Sequence, residues 1–387
     1  MHPRSSNRLQ IIIRSQYFTH FGVMGIFLPY FNLYCYYIGF DGFQIGVLSA
    51  LRSAVMVLLP LIWGALADRF QKRRPIYILC SFASAGMWVL YLFTADFLLI
   101  LFITIGYTIF YAPLIAFLEA LTVDVLGQAR KSYGRVRVWG SIAFIVSVLV
   151  MGRVLDFYSI NIILVLIFAG LILQALISIK VPDIKSAPKD ILSSQRHFLS
   201  NPKIIIFLVS AFFMLVSHGS YYAFFSIHLE RLGYEKTVIG LSWACASIAE
   251  IIVMLKSDSI LERFSLEKVL LFSFITAALR WLILFLTPSF YIIFASQFLH
   301  AITYGAFHIA SILYIDSLTP DTSKTLGQAL NNALTYGLGL MVGFFVSGVL
   351  YERVGAFNMF LVSSLIALAA FAIFAGFNVV AQHERRL

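Results

Sequence analysis

Apolar runs of about 20 residues recur from one end of this chain to the other, and this recurrence restricts the fold more than any other feature. At about 1.5 Å per residue, each run can cross a hydrocarbon core about 30 Å thick as a helix. Of the 387 residues, 60% are hydrophobic and only 12% are charged. Water-soluble domains of this size do not show that composition. The sequence therefore predicts an all-α membrane protein.

We predict twelve transmembrane helices in two six-helix bundles. The predicted spans are residues 12–37, 43–66, 75–94, 97–123, 134–155, 158–180, 203–229, 237–256, 267–286, 290–315, 326–350 and 357–380. The polar stretch "KVPDIKSAPKDILSSQRHFLSNPK" separates the sixth span from the seventh, as a cytoplasmic linker should. The predicted domains are an N-terminal bundle over 1–180, a linker over 181–202 and a C-terminal bundle over 203–387.

The positions of the basic residues indicate orientation. The net charge of +10 alone would also suit a nucleic-acid-binding protein. With both termini in the cytoplasm, however, 21 Lys and Arg residues fall on cytoplasmic segments and 4 on the opposite side. This asymmetry follows the positive-inside rule, so we expect no nucleic-acid partner. We expect a multi-pass protein of the bacterial cytoplasmic (inner) membrane with both termini cytoplasmic, whose N-terminal apolar stretch is too long for a signal peptide and is retained as the first span.

Matching residues separated by 194 positions indicate an internal duplication. This offset pairs Gly39 with Gly233 and Gly46 with Gly240, and it pairs the loop triplet "DRF" at 68–70 with "ERF" at 262–264. Two parallel halves are related by an axis along the membrane normal, an arrangement that leaves a binding site at their interface near the bilayer midplane. We therefore expect the functional residues there, whereas a scaffold or a membrane-bound enzyme would not need matched halves.

The loop after the second span, "GALADRFQKRRP", resembles the corresponding loop of the major facilitator superfamily, although Gln71 replaces the usual second glycine. We expect Gly64 to let helices approach closely and Asp68 to cap or pair at a helix end, with the basic cluster holding the loop in the cytoplasm. The resemblance implies that Gly64, Asp68, Arg69 and Arg73 belong to the conformational switch. The alternative is a solvated basic turn.

A closer resemblance, to the phenylpropionate permease branch near the lactose permease group of proton symporters, covers essentially the whole chain. It rests on segments such as "YGRVRVWGSIAF", "HGSYYAFF" and "SQFLHAITYGAFHIASILYI". In lactose permeases a Glu in span four and an Arg eighteen residues later bind the sugar, and Glu119 and Arg137 have that spacing here. The resemblance thus implies that this pair binds substrate. The alternative is a buried structural ion pair.

Further ionisable residues lie inside predicted spans, where an unpaired charge costs about 2.5–3.5 kcal/mol on insertion scales. Each should therefore face a partner or a wet cavity. The resemblance implies that Glu250 holds substrate and that Arg280 and His300 lie near a proton site. Thr303, however, stands where lactose permeases have the proton-carrying Glu, and Gln297 stands where they have a Lys. The members of this intramembrane set are Arg52, Glu250, Arg280, His300 and His308.

Without that Glu, another group must carry the proton. Glu250 is our first candidate, because burial favours the neutral carboxyl and a nearby Arg280 favours the charged one. His300 is the second, because imidazole titrates near neutral pH, although a membrane histidine can also be a hydrogen-bonded packing residue. Tyr222 could stack on a substrate ring or could simply pack. Asp124 and Asp316 are expected to have structural roles at helix ends.

The sequence thus favours a secondary transporter that imports a small organic solute by proton symport and alternating access. We expect an aromatic carboxylate resembling phenylpropionate, bound by Glu119, Arg137, Arg52, Glu250, His300 and Tyr222, with Glu250, Arg280 and His300 coupling the proton. A sugar or nucleoside symporter, an efflux antiporter and a non-transporting receptor remain alternatives. Walker, G-x-S-x-G and metal-binding motifs are missing from the sequence, so we expect no enzyme, metal or cofactor. The expected partners are the solute, protons and the lipid bilayer, with the protein a monomer.

Overall fold

A computed structural model describes residues 3–127, 132–182 and 200–384 of the chain. Within these ranges the regular structure is helical throughout, with no strand. The helices are α1 (Pro3–Tyr37), α2 (Gly42–Phe70), α3 (Arg73–Phe93), α4 (Phe97–Leu126), α5 (Tyr133–Leu155), α6 (Ile162–Ser178), α7 (Pro202–Arg231), α8 (Lys236–Leu255), α9 (Leu266–Leu286), α10 (Phe290–Leu318), α11 (324–354) and α12 (356–384). A one-turn helix, Ser257–Leu261, follows α8.

The helix count agrees with the predicted twelve. Among the described residues, nine helices are long and apolar enough to cross a membrane. The last of these, Lys324–Val379, is 56 residues long, more than twice what a bilayer needs. It is broken at Gly355, which has φ 78° and ψ 171°, so it forms the two spans α11 and α12. The 35-residue α1 and the 17-residue α6 complete the set.

The chain folds into two compact units. The first comprises the described parts of Met1–Phe40, Leu51–Lys189 and Gly233–Leu241. The second comprises the described parts of Asp41–Ala50, Asp190–Leu232 and Ser242–Leu387. Most of the predicted linker lies outside the described residues, so the predicted domain boundaries stay a prediction.

In the first unit, α1 packs against α5 and α6, while α3 packs against α4 and α6. Small residues allow the closest approach: a Cβ built on Gly25 of α1 would come within 2.7 Å of the Phe144 carbonyl oxygen of α5. This is the way membrane helices commonly pack, since lipid supplies no hydrophobic force between them. The core is a cluster of stacked and edge-on aromatic rings that comprises Phe27, Phe31, Trp88, Tyr91 and Tyr107.

In the second unit, α7 packs against the long segment of α11 and α12, and α9 packs against α10 and α12. Gly219 of α7 faces Gly343 of α11 so closely that a Cβ on Gly219 would overlap the backbone of Gly343. Ser364 of α12 donates a hydrogen bond to the Ala278 carbonyl of α9 at 2.7 Å. α9 carries Arg280, and α10, against which it packs, carries His300 and His308.

Residues paired by the 194-residue offset have matching structural roles. Gly39 and Gly233 both adopt positive φ, 95° and 82°, before α2 and α8 begin. A Cβ on Gly46 would lie 2.7 Å from the Cα of Gly348, and one on Gly240 would lie 2.6 Å from the Val148 carbonyl oxygen. At both pairs of positions, therefore, glycine is required for the same local reason.

Candidate functional site

Arg280 of α9 is the centre of a buried polar cluster in the second unit. Its side chain is 0% exposed. One terminal nitrogen, Nη2, donates to Gln297 Oε1 at 2.8 Å, and the other, Nη1, donates to His300 Nδ1 at 2.9 Å and to Thr303 Oγ1 at 3.4 Å. Its guanidinium lies 4.1 Å from the ring centroid of Tyr221, a cation–π contact. Both terminal nitrogens are thus engaged by protein partners, whereas Nε is buried without a hydrogen-bond partner in the described chain.

The hydrogen bond from Arg280 fixes the protonation of His300. Because an arginine can only donate, His300 Nδ1 must accept, and the ring proton must sit on Nε2. That nitrogen lies 3.6 Å from Oε2 of Glu250. The imidazole is therefore held neutral, with its N–H directed at the carboxyl group. The structure brings Glu250, His300 and Arg280 together in one row.

Gln297 and Thr303 occupy the positions where the sequence departs from the lactose permease pattern. Both are buried, and both accept hydrogen bonds from Arg280. Tyr221 also donates to Gln297 Oε1, at 3.1 Å. These neutral partners hold Arg280 without neutralising its charge. Glu250, which lies beyond His300, is thus the carboxylate of this row.

Aromatic side chains surround the row. The ring centroid of Tyr222 lies 6.3 Å from that of His300 and 6.2 Å from that of Tyr304, in edge-on geometry. His300, Tyr304 and His308 stack along α10 with centroids 5.3 and 6.0 Å apart. Tyr336 of α11 is hydrogen-bonded to His308, with its hydroxyl 2.7 Å from Nδ1. Tyr304 and Tyr336 lie in π-helical segments, Ala301–Ala306 and Asn332–Gly339, a local form that is frequent at functional sites.

Arg52 of α2 is an intramembrane cation of the first unit. It is half-buried, and its guanidinium lies 4.2 Å from the ring centroid of Phe27 of α1. Tyr91, Tyr107 and Tyr111 are near enough to interact with it electrostatically. No carboxylate lies within 4.0 Å of Arg52 among the ion pairs of the described chain, and its Nε is buried without a hydrogen-bond partner. The guanidinium thus packs on the ring face of Phe27, with three tyrosines in its electrostatic surroundings.

Arg137 of α5 is held in a similar way. Its guanidinium lies 4.2 Å from the ring centroid of Phe21 and 5.6 Å from that of Tyr17, both on α1. Glu119 of α4 is half-buried and interacts with Arg137 electrostatically, but the two do not form an ion pair within 4.0 Å. The alternative of a buried structural ion pair is not accompanied by a contact within 4.0 Å in the described chain, where rings of α1 pack on Arg137. The expectation of a substrate pair stays a prediction.

The loop between α2 and α3 is organised by Asp68 and Arg73. Arg73 donates to Asp68 Oδ1 from Nε at 3.1 Å and from Nη2 at 2.6 Å, and its Nη1 lies 3.8 Å from Oδ2 of Asp124. The Arg69 guanidinium lies 5.9 Å from the ring centroid of Phe70. The expected close helix approach at Gly64 is wrong in this structure, because a Cβ there would meet no atom of the described chain within 4 Å. The switching role of these four residues stays a prediction.

Sequence reasoning missed the rings that hold the cations and the tyrosine of α11. Phe21 lies three residues before Met24 on α1, and Phe27 lies three residues after it. Because side chains three residues apart are neighbours on a helix, this spacing could have indicated a row of apolar side chains. Tyr304 lies four residues from each of two histidines of α10, a spacing that predicts the observed stack. Tyr336 had no comparable signal, since its contact with α10 crosses between helices. Within the described residues, no group of His, Cys, Asp or Glu could hold a metal ion.

The fold is that of a major facilitator transporter. The crystal structure of the nucleoside transporter NupG matches with a TM-score of 0.86 at 17% identity, covering 95% of this chain and 99% of that one. A family model described as "MFS_1 like family" matches residues 10–362. The chain therefore belongs to the MFS_1-like family and is an integral multi-pass membrane protein, as the sequence predicted.

Two relatives extend over almost the whole chain. A protein named "Probable 3-phenylpropionic acid transporter" from Escherichia coli (strain K12) is 26% identical over 364 residues, which cover 92% of this chain and 94% of the relative. A maltose permease from Geobacillus stearothermophilus is 24% identical over 352 residues, which cover 89% of each chain. The relatives are thus transporters whose named solutes differ in class.

Proposed function

We propose that this protein is a secondary transporter that imports an aromatic carboxylate together with a proton. Arg52 is the observation that carries the proposal. A cation within a membrane span is expensive, by about 2.5–3.5 kcal/mol on insertion scales, unless a partner or water compensates it. Arg52 has aromatic neighbours but no carboxylate within 4.0 Å among the described residues. The carboxylate of a solute supplies the missing charge.

Arg137 contributes a second cation, which packs on another ring of α1. The Arg137 guanidinium packs on Phe21 and that of Arg52 packs on Phe27. These two phenylalanines are six residues apart on α1, or about 9 Å along the helix axis. The length of a small aryl acid does not exceed this separation. Glu119 beside Arg137 favours a neutral or hydrogen-bonding group at that end, because it offsets part of the arginine charge. The similarity to a protein named as a phenylpropionic acid transporter supports the same solute class.

Proton coupling is assigned to Glu250 in the second unit. Its neighbour His300 is held neutral by Arg280 and directs an N–H toward it, which favours the ionised carboxylate. A displacement of His300 or Arg280 removes that stabilisation, and the carboxyl then takes up a proton. One charge moved through about 100 mV supplies about 2.3 kcal/mol, enough for roughly fifty-fold accumulation.

A nucleoside or sugar is the second candidate solute. Glu250, His300 and Tyr222 form a row of carboxyl, imidazole and aromatic groups, which suits the hydroxyls and rings of a neutral solute. The similarities to a maltose permease and, in fold, to a nucleoside transporter favour this solute class equally. We further propose that both termini are cytoplasmic, because of the charge asymmetry of the loops, and that the protein is a monomer in the bacterial inner membrane.

Purified protein in proteoliposomes tests these assignments. We expect counterflow of radiolabelled 3-phenylpropionate and its accumulation when the outside is made acidic. Arg52→Gln should abolish counterflow of 3-phenylpropionate, whereas Glu250→Gln should abolish accumulation and spare counterflow. Counterflow of maltose or uridine instead would select the second candidate. Binding without flux of any of the three would favour a receptor, and efflux from acid-loaded vesicles alone would favour an antiporter.

A further inference from the structure

A pocket of about 260 Å³ lies between the end of α2 and the start of α3 in the first unit, and we call it the Trp63 pocket. The indole N–H of Trp63 donates to the Ile109 carbonyl oxygen of α4 at 2.9 Å, which fixes this wall. Leu66, Phe70 and Leu79 are 37%, 55% and 53% exposed, so the pocket opens outward. Its other lining residues are Lys72, Pro75 and Ile76.

The second unit differs at the corresponding place. The 194-residue offset relates Trp63, Leu66 and Pro75 to Ser257, Ile260 and Val269. These three counterparts line a cavity of only about 10 Å³, and all seven residues that line it are uncharged. The position that matches Lys72 holds Leu266. The Trp63 pocket is therefore a property of the side chains of the first unit and not a general result of packing two helices in this fold.

The basic residues of the adjoining loop differ in what they contact. Arg73 and Arg74 are engaged by protein acceptors, a carboxylate and two backbone carbonyl oxygens. Lys72 and Arg69 are exposed, and no acidic side chain of the described chain lies within 4.0 Å of either. The Arg69 guanidinium packs on the Phe70 ring. One of these two cations thus lines the pocket, and the other packs on a ring that lines it.

The pocket lies at the end of α2 that is predicted to be cytoplasmic. Here the apolar helix meets the basic loop, so we expect the depth at which acyl chains give way to headgroups. Tryptophan is enriched at that depth because its ring is apolar and its N–H is polar. Anionic lipids of the cytoplasmic leaflet attract basic residues there. These surroundings offer an acyl chain for the apolar walls and a phosphate for Lys72.

We propose that the Trp63 pocket binds one anionic phospholipid, with an acyl chain against Trp63 and Leu79 and the headgroup phosphate at Lys72. The lysine ammonium is a compact charge that suits a phosphate. Because the two cations beside the pocket are not neutralised by the described chain, a headgroup with net negative charge is preferred over a zwitterionic one. The site is independent of the proposed transport function, and its test needs no solute.

Native mass spectrometry of the purified protein counts the bound lipid. The probes are phosphatidylglycerol and phosphatidylcholine with the same acyl chains, and we expect the first phosphatidylglycerol to bind at least fivefold more tightly. Lys72→Gln should lower phosphatidylglycerol affinity about fivefold, the contribution of one basic residue near an anionic membrane surface. It should leave phosphatidylcholine affinity within twofold. The matched control is Lys268→Gln, which removes an exposed lysine at the start of α9 and should leave both affinities within twofold.

A second measurement locates the acyl chain. Brominated acyl chains quench tryptophan fluorescence at short range, and the contribution of Trp63 is the part that is lost in Trp63→Phe. At equal mole fraction in phosphatidylcholine vesicles, brominated phosphatidylglycerol should quench Trp63 more than brominated phosphatidylcholine does.

Three results would overturn the proposal. They are equal quenching of Trp63 by the two brominated lipids, equal affinity of the unmodified protein for the two headgroups, and the same phosphatidylglycerol affinity in Lys72→Gln and Lys268→Gln. A lipid-free dimer in the mass spectra that is lost in Lys72→Gln would identify a second copy of the chain as the occupant instead. The mass spectra do not depend on the folding of Trp63→Phe.

Discussion

Asp156, at the end of α5, accepts hydrogen bonds from the start of α8. Substitution of this residue therefore tests how much the contact between α5 and α8 stabilises the first unit. Its Oδ1 accepts from the backbone N–H of Lys236 at 2.8 Å and of Thr237 at 3.3 Å, and its Oδ2 accepts from the Thr237 hydroxyl. The carboxylate thus acts as the N-cap of a helix that is distant in sequence. Arg153 lies 3.8 Å from the same Oδ2, but its side chain is 64% exposed.

We expect Asp156→Ala to lower the free energy of unfolding by about 1.5–3 kcal/mol, the range for hydrogen bonds to a charged group. Asp156→Asn keeps an acceptor but loses the charge at the helix N-terminus, so its effect should be about 0.3–1 kcal/mol. Arg153→Gln, which removes an exposed ion pair, should change stability by no more than about 1 kcal/mol.

The assay is equilibrium unfolding in mixed detergent micelles, followed by the loss of helical circular dichroism. We expect Asp156→Ala to be more destabilised than either Asp156→Asn or Arg153→Gln. If Asp156→Asn lowered the free energy of unfolding as much as Asp156→Ala, the charge of the carboxylate rather than its hydrogen-bond geometry would account for most of the stabilisation. If Asp156→Ala left stability unchanged, the capping interpretation would be refuted.

Two further predictions concern glycines. Gly240→Val should destabilise the protein by about 1–3 kcal/mol, as overpacking usually does, because its Cβ would lie 2.6 Å from the Val148 carbonyl oxygen. The control in the same unfolding assay is Gly86→Val, because a Cβ at Gly86 meets nothing within 4 Å. Gly305→Ala should reduce proton-driven accumulation more than counterflow, because the new methyl displaces Glu250, whose Cγ lies 3.2 Å from that position. Equal stability of the two valine variants, or normal accumulation in Gly305→Ala, would contradict these accounts.

The spans could be predicted from the sequence because the membrane imposes a length and a composition on each helix. The eleventh and twelfth spans are an example: the apolar pattern breaks near the one residue, Gly355, whose positive φ separates them. The duplication offset also identified two pairs of glycines that share a backbone conformation or a packing role. Span length, span composition and glycine position are all properties of short sequence segments, so they can be predicted without knowing how the helices pack.

The partners of the buried charges could not be predicted in the same way. The spacing of Glu119 and Arg137 is compatible with an ion pair, but aromatic rings of α1 occupy the face of the guanidinium. Likewise, Gln297 and Thr303 were visible as departures from a pattern, while their role as acceptors for Arg280 depends on how α9 meets α10. The side chains that contact a buried charged group are determined by the packing between helices.

The π-helical segments Ala301–Ala306 and Asn332–Gly339 have a mechanical consequence. A π turn holds one surplus residue, and that surplus can slip along a helix without unwinding it, because each hydrogen bond is exchanged for its neighbour. Every residue the surplus passes is turned by about 100° around the helix axis. Slippage by one turn in α10 would swing a histidine from one neighbouring helix toward another while both ends of the span stay anchored.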